Sequence, residues 1–234
     1  MLHRLLMICG FKSLSLIDYP GQIAPVVFVG GCNFRCPFCH NADLVLHPSP
    51  TKEFSEENVL MRIESAKSLA DGVVITGGEP TLWGGLESFI RRIRKLGLKV
   101  KLDTNGSLPP VLEHLIEEGL LDYIAMDIKT SIARYSEAAG VSVDVSAILK
   151  SVSIIKNAHV PHEFRTTCVP GLVEEDDIHA ICQMLGQNEK LTLQYFQPDH
   201  TIDQSYSQVK PYPPEVMERL LSIITIHGLA GKVI

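Results

Sequence analysis

Short β-branched apolar runs recur along the chain, separated by longer stretches in which apolar residues return every three or four positions. The runs at 26–29, 72–76, 99–103, 123–128, 163–169 and 191–196 carry the period and composition of strands. The stretches at 55–69, 85–95, 111–118, 145–158, 174–185 and 214–227 carry the period of helices. Ser55 and Pro213-Pro214 stand at helix starts, and Gly97 and Gly119 stand where helices should stop. Six strand–helix units in series predict an α/β fold with a parallel sheet and right-handed crossovers. The nearest architecture is a partial (βα)6 barrel, with an open doubly wound sheet as its competitor. In both, strand ends and the loops after them form the active face.

No repeat, low-complexity tract or linker divides the sequence, so residues 1–234 read as a single domain. Residues 1–24 form an N-terminal extension and 25–234 the barrel. Within the extension Asp18-Tyr-Pro-Gly21 reads as a turn, which suggests a hairpin against the barrel. The loop from Gly30 to about Pro50 is long for a strand–helix connection, and such loops are usually functional or disordered.

Charge narrows the possible partners. A net charge of −6, with 21% charged residues, argues against a broad phosphate-binding surface, so no nucleic-acid partner is expected. The N-terminal Met1-Leu-His-Arg-Leu-Leu-Met-Ile-Cys-Gly10 is too short to span a bilayer and lacks a signal cleavage site. The expectation is a cytoplasmic protein without a membrane partner. In that compartment six cysteines are not a disulfide framework, and three of them fall within eight residues.

That cluster reads Gly30-Gly-Cys32-Asn-Phe-Arg-Cys36-Pro-Phe-Cys39-His40-Asn41. Four chemistries compete for it. Cys36-Pro-Phe-Cys39-His40 matches a haem-attachment pattern, but that pattern leaves Cys32 unexplained and needs export. A Cys₃His zinc site would need adjacent Cys39 and His40 to point at one ion. Cys36 and Cys39 could form a dithiol redox pair. The fourth reading is an iron–sulfur cluster, which thiolates suit but which ordinarily takes four cysteines. Unless Cys9, Cys168 or Cys182 reaches the loop, one iron keeps an open position for a substrate with amino and carboxylate groups.

The Cys-x₃-Cys-x₂-Cys spacing, with an aromatic before the third cysteine, resembles the radical S-adenosylmethionine family. The resemblance implies a [4Fe-4S] cluster on Cys32, Cys36 and Cys39, with S-adenosylmethionine on the fourth iron. Thr76-Gly77-Gly78-Glu79-Pro80 after the second strand looks like the family's Gly-Gly-Glu motif, which meets the methionine amino group. Alternation puts Lys101, Asp103 and Asn105 on one face of the third strand end, and Asp127 and Lys129 on one face of the fourth. Buried charges are costly unless paired or liganded, so a polar pocket in the barrel mouth is expected. There Asp127 and Lys129 would meet the amino and carboxylate ends of methionine, or Asp103 and Asp127 would hold a cation. Arg165 would bind the cofactor carboxylate or a substrate peptide, or form an ordinary ion pair. Phe38 and the backbone near His40 would flank the adenine.

Similar Asp-Thr-Asn-Gly and Met-Asp-Ile-Lys stretches occur in activases of glycyl-radical enzymes, and Cys39-His40-Asn41 is typical of them. The segment 10–21 followed by 30–41 resembles the activases of anaerobic ribonucleoside-triphosphate reductase. Pyruvate formate-lyase activases carry a histidine where Gln197 falls, a departure that weakens assignment to that subgroup. The absence of cysteine between Cys39 and Cys168 implies one cluster. A flavodoxin-like or ferredoxin-like donor would supply one electron. The cleaved cofactor would then take a hydrogen from a glycine of a partner protein, with no side chain acting as acid or base. Two other readings stand beside it: a small-molecule radical enzyme resembling carboxy-deazaguanine synthase, and a non-catalytic iron–sulfur protein.

Overall fold

A computed structural model describes residues 7–49 and 51–234; the segment 1–6, which begins the apolar N-terminal stretch, and Pro50 lie outside the described residues. The strands are β1 (Ile8–Ser15), β2 (Ala24–Val29), β3 (Gly72–Gly77), β4 (Lys99–Thr104), β5 (Tyr123–Asp127), β6 (His162–Cys168), β7 (Lys190–Tyr195) and β8 (Ala230–Val233). They form one sheet in the order β1 to β8, each strand bonded to its neighbours in the chain. β1 runs antiparallel to β2, and every later pair is parallel. The six expected strands are β2 to β7, each bounded within two residues of the sequence reading. The expected hairpin is β1 with β2.

Among the described residues eight α-helices fill the connections: α1 (Ala42–Leu46), α2 (Glu56–Ala66), α3 (Leu86–Lys95), α4 (Pro109–Glu117), α5 (Tyr135–Ala139), α6 (Val145–Asn157), α7 (Glu175–Leu185) and α8 (Pro214–Ile226). Ser55 caps α2 by accepting from the Asn58 amide. That helix stops at Ala66 rather than Leu69, because Leu69 remains 64% exposed and offers no burial to extend it. Three elements have no counterpart in the sequence reading. The five-residue α1 and α5 are shorter than the window in which a helical period shows. β8 contains Ala230 and Gly231, poor strand formers, and is held by its register on β7, with Leu191 opposite Gly231 and Leu193 opposite Val233.

Strand alternation builds two different interiors. Val27, Val29, Val73, Ile75, Val100, Leu102, Ile124, Met126 and Phe164 face the helices and form the main core with residues such as Phe89, Ile90 and Ile93 of α3. Each such fully buried side chain stabilises the fold by about 1.5–3 kcal/mol. The other face curves inward. At one side it packs Tyr19, Ala24, Val26, Val74 and Tyr123 into a small second core. At the other it carries Lys101, Asp103, Glu163, Arg165 and Thr192. Arg165 on β6 reaches Asp103 on β4 at 3.1 Å across the intervening β5, which shows how strongly the sheet curls. Glu163 is matched there by Thr192 at 2.8 Å and by Lys232 of β8 at 3.1 Å. Among the described residues no helix is long and apolar enough to cross a membrane.

Candidate active site

The cysteine loop leaves the end of β2 and is held by backbone bonds from several directions. The Gly31 amide donates to Leu44 at 2.7 Å, and its carbonyl accepts from the Glu79 amide at 2.9 Å. The Arg35 amide donates to Ala139 at 2.8 Å, and the Asp203 amide donates to Pro37 at 2.9 Å. Arg35 folds its guanidinium back onto the Cys32 and Phe34 carbonyls at 2.6 and 2.7 Å. Gly140, at φ 66°, ends α5 where any Cβ would overlap the Arg35 carbonyl, so only glycine lets that helix support the loop.

Cys32, Cys36 and Cys39 all line one cavity of about 490 Å³ at the C-terminal ends of the strands. Cys9, Cys168 and Cys182 do not line it. Burial pushes the Cys32 thiol up to about 11 and the Cys36 thiol to about 12, and it raises Cys39 as well. The Phe34 amide lies 3.3 Å from the Cys32 sulfur, and the Asn105 side-chain amide lies 3.7 Å from it. Among the described residues no three of His, Cys, Asp or Glu converge on a point where a single ion would sit. A cluster spreads its ligands over separate irons, so three soft donors around a shared space fit it better than one zinc ion.

The cavity floor is ionic. Lys101 meets one Asp103 oxygen at 2.6 Å, and Arg165 meets the other at 3.1 Å. Arg165 also meets one Asp127 oxygen at 2.9 Å, and Lys129 meets the other at 3.1 Å. All four carboxylate oxygens thus have a cationic partner. Arg165 is no surface ion pair, its side chain being 14% exposed. Burial opposes charge on Asp127, Lys129 and Arg165, but the attraction of their oppositely charged partners wins. Asp127 is held at about 2 by Arg165 and Lys129, and both cations are raised above their ordinary range. Three cations against two anions leave one positive charge over, which suits an incoming carboxylate.

Phe38, His40, Gly77, Gly78, Asp103, Asn105, Asp127, Lys129 and Arg165 line this cavity, as the sequence suggested, and Gln194 and Gln197 line it too. Glu79 is the exception. It is fully buried behind the wall, where Oε1 accepts from the Thr81 amide (3.1 Å), Thr81 Oγ1 (2.5 Å) and Thr104 Oγ1 (2.8 Å). Its Oε2 accepts from the Asn105 amide at 2.6 Å. With both oxygens engaged, Glu79 ties the end of β3 to the end of β4. Sequence reasoning placed Lys101 on the right face but gave it no role; its 2% exposure shows that Asp103 is neutralised from below. The buried lysine two residues before Asp103 was the available signal.

Gly77 and Gly78 are required by the chain itself. A Cβ on Gly78 would overlap the Gly31 carbonyl, and one on Gly77 would strike the Val29 backbone at φ 123°. Gly78→Ala is expected to push the cysteine loop away from β3 and cost about 1–3 kcal/mol in overpacking. The check is a lower denaturation midpoint together with less iron bound after reconstitution.

The pattern of the Radical SAM superfamily matches residues 26–184. A protein of Methanocaldococcus jannaschii, provisionally assigned as a glycyl-radical enzyme activating enzyme, is 35% identical over 214 residues, covering 89% of this chain and 87% of its own. The pyruvate formate-lyase 1-activating enzyme of Escherichia coli K12 is 28% identical over 241 residues, covering 94% and 95%. The fold is shared with a solved domain of pyruvate-formate lyase-activating enzyme from Bacteroides vulgatus (TM-score 0.57, 20% identity, 70% of this chain and 99% of that one). It is shared also with SuiB of Streptococcus suis bound to S-adenosylmethionine (TM-score 0.64, 16% identity, 87% and 48%). The curled sheet is therefore the partial barrel of these structures, and the chain belongs to the radical SAM superfamily, among its glycyl-radical enzyme activating enzymes.

Proposed function

We propose that the chain, working as one unit over residues 1–234 in the cytoplasm, installs a glycyl radical on anaerobic ribonucleoside-triphosphate reductase. The family uses a [4Fe-4S] cluster and S-adenosylmethionine, which together supply a one-electron reduction that splits the sulfonium and lets the freed 5′-deoxyadenosyl group take a glycine hydrogen atom. Cys32, Cys36 and Cys39 hold the cluster. Lys129 and Arg165 receive the methionine carboxylate, and Asp103 and Asp127 receive its amino group, each held in place by the ion pairs beneath. Asn105, already bonded to Asn33 at 2.9 Å, fixes the loop around Cys32. The backbone at Gly77 and Gly78 forms the wall against which the ligand lies, and Phe38 and His40 flank its adenine. These side chains bind, orient and exclude water, and none moves a proton in the chemical step. A flavodoxin-like or ferredoxin-like protein donates the electron.

One observation carries this reading: three thiols and a floor of paired charges face the same cavity. The choice of reductase as partner rests on the sequences 10–21 and 30–41, and on Gln197 where pyruvate formate-lyase activases have histidine. Anaerobic reconstitution is expected to load about four irons per chain. Reduction should then yield 5′-deoxyadenosine, and adding the reductase should produce the doublet of a glycyl radical in EPR. Cofactor cleavage with no radical on the reductase would remove it as the partner. In that event another glycyl-radical protein is the partner to test, since the chain's family is that of the activating enzymes.

A further inference from the structure

The cavity has two chemically different sides. Its paired charges stand at the ends of β4, β5 and β6. Past Arg165, every residue that lines it has an uncharged side chain, including Thr167, Gln194, Gln197, Ile202 and Ile234. Thr167 and Gln194 are register partners on β6 and β7, two residues beyond the pair Arg165 and Thr192. Alternation puts all four on the inner face, so Thr167 and Gln194 form a layer about 6–7 Å nearer the mouth than Arg165. The layer below is spent within the protein, since Arg165 donates to Asp103 and Asp127, and Thr192 donates to Glu163. Among the described residues, the Thr167 hydroxyl and the Gln194 amide have no such partner, and both residues are half-buried. Between them they offer donors and acceptors, none of which ionises at neutral pH.

We propose that Thr167 and Gln194 hold the main chain of the partner segment that carries the reacting glycine. The inference rests on the activase reading above and deepens it by naming what the site recognises. A glycine has no side chain, so at the reacting residue only the two flanking peptide groups can be gripped. A peptide group is an uncharged N–H beside an uncharged C=O, and the primary amide of glutamine matches both. The charged groups of the floor suit the ionic ends of S-adenosylmethionine instead. That cofactor is anchored at the loop after β2 and along β4 to β6, which leaves the β6–β7 side for the polypeptide. A peptide group that enters the cavity gives up its water, and the pair replaces those bonds.

The test uses the reconstituted full-length enzyme and the reductase. Gln194→Leu nearly keeps the volume but removes donor and acceptor together. It is expected to raise the reductase concentration giving half-maximal radical formation about ten-fold, equivalent to about 1.4 kcal/mol. Half-saturation by S-adenosylmethionine should not follow it. More 5′-deoxyadenosine should be released per glycyl radical, because a loosely held segment lets the 5′-deoxyadenosyl group take hydrogen elsewhere. Thr167→Val, which keeps the shape of threonine, should act in the same direction with a smaller rise, and it decides the matter if Gln194→Leu lowers the melting temperature. Gln183→Leu is the matched control: Gln183 is exposed on α7 and does not line the cavity. Half-saturation by the reductase unchanged in both cavity variants, or raised equally by Gln183→Leu, overturns the inference while leaving the activase reading intact. A rise confined to S-adenosylmethionine overturns it too, by giving the pair to the cofactor. Failure of the unmodified enzyme to place any radical on the reductase overturns the reading on which the inference stands.

Discussion

Cys36→Ser is expected to abolish iron binding and S-adenosylmethionine cleavage together. Cys36 is the most buried of the three loop cysteines at 6% exposure. A serine hydroxyl there is a harder donor than thiolate and ionises far less readily, so it replaces neither the softness nor the charge that iron–sulfur centres take from cysteine. Loss of even an outer partner of a metal ligand costs about 10–100-fold in affinity or activity, and loss of the ligand itself should exceed that range. Iron and sulfide content should fall from about four per chain to well under one. Cys182→Ala, in α7 and away from the cavity, should keep its iron with a modest loss of stability. Full iron content in Cys36→Ser, or its loss in Cys182→Ala, would place the cluster elsewhere.

Arg165→Met is expected to damage stability and cofactor binding at once. Arg165 joins two aspartates whose other oxygens are held by Lys101 and Lys129, so its removal strips one partner from each carboxylate inside the barrel. Breaking such a pairing costs about 3–5 kcal/mol, and the 30% exposure of Asp127 to the cavity places this case at the low end. For a chain of this size, about 3 kcal/mol is a fall of roughly 6–12 °C in melting temperature. Arg165→Lys should recover only part of it, because an ammonium cannot reproduce the planar fork that spans two carboxylates. The pH dependence gives a second readout. Asp127 sits at about 2 against an ordinary 3.8, so its ion pairs contribute fully above the ordinary value and fade as pH falls toward 2. In Arg165→Met that carboxyl rises toward the ordinary value or beyond it, and the acid-side loss of stability should flatten. An unchanged melting temperature and an unchanged KM for S-adenosylmethionine would together show that the Arg165 bridge has no role.

The fold was legible wherever burial imposes a period on the sequence. β2 to β7 are apolar on the helix-facing side, and α2, α3, α4 and α6 to α8 present one apolar face each, so both periods survive in the residues. β8 has no such record. Its residues are placed by β7 and α8, and a pattern imposed by neighbours does not appear in local composition. The cysteine loop was legible because thiols are rare and their spacing is diagnostic. Asp103, Asp127, Lys129 and Arg165 were legible as charges at strand ends, but their pairing depends on how far the sheet curls. Glu79 shows the opposite limit: the Gly-Gly-Glu resemblance suggests ligand binding, yet Thr81 of its own turn and Thr104 and Asn105 at the end of β4 donate to both of its oxygens.

The strictly consecutive strand order has a bearing on biosynthesis. The bonds that shape the cysteine loop, from Gly31 to Glu79, Asn33 to Asn105 and Arg35 to Ala139, all close within the first 140 residues. A chain leaving the ribosome in that order can form this platform before β6 has been made. The Asp203 to Pro37 bond comes afterwards, as a late latch across a loop whose shape is already set.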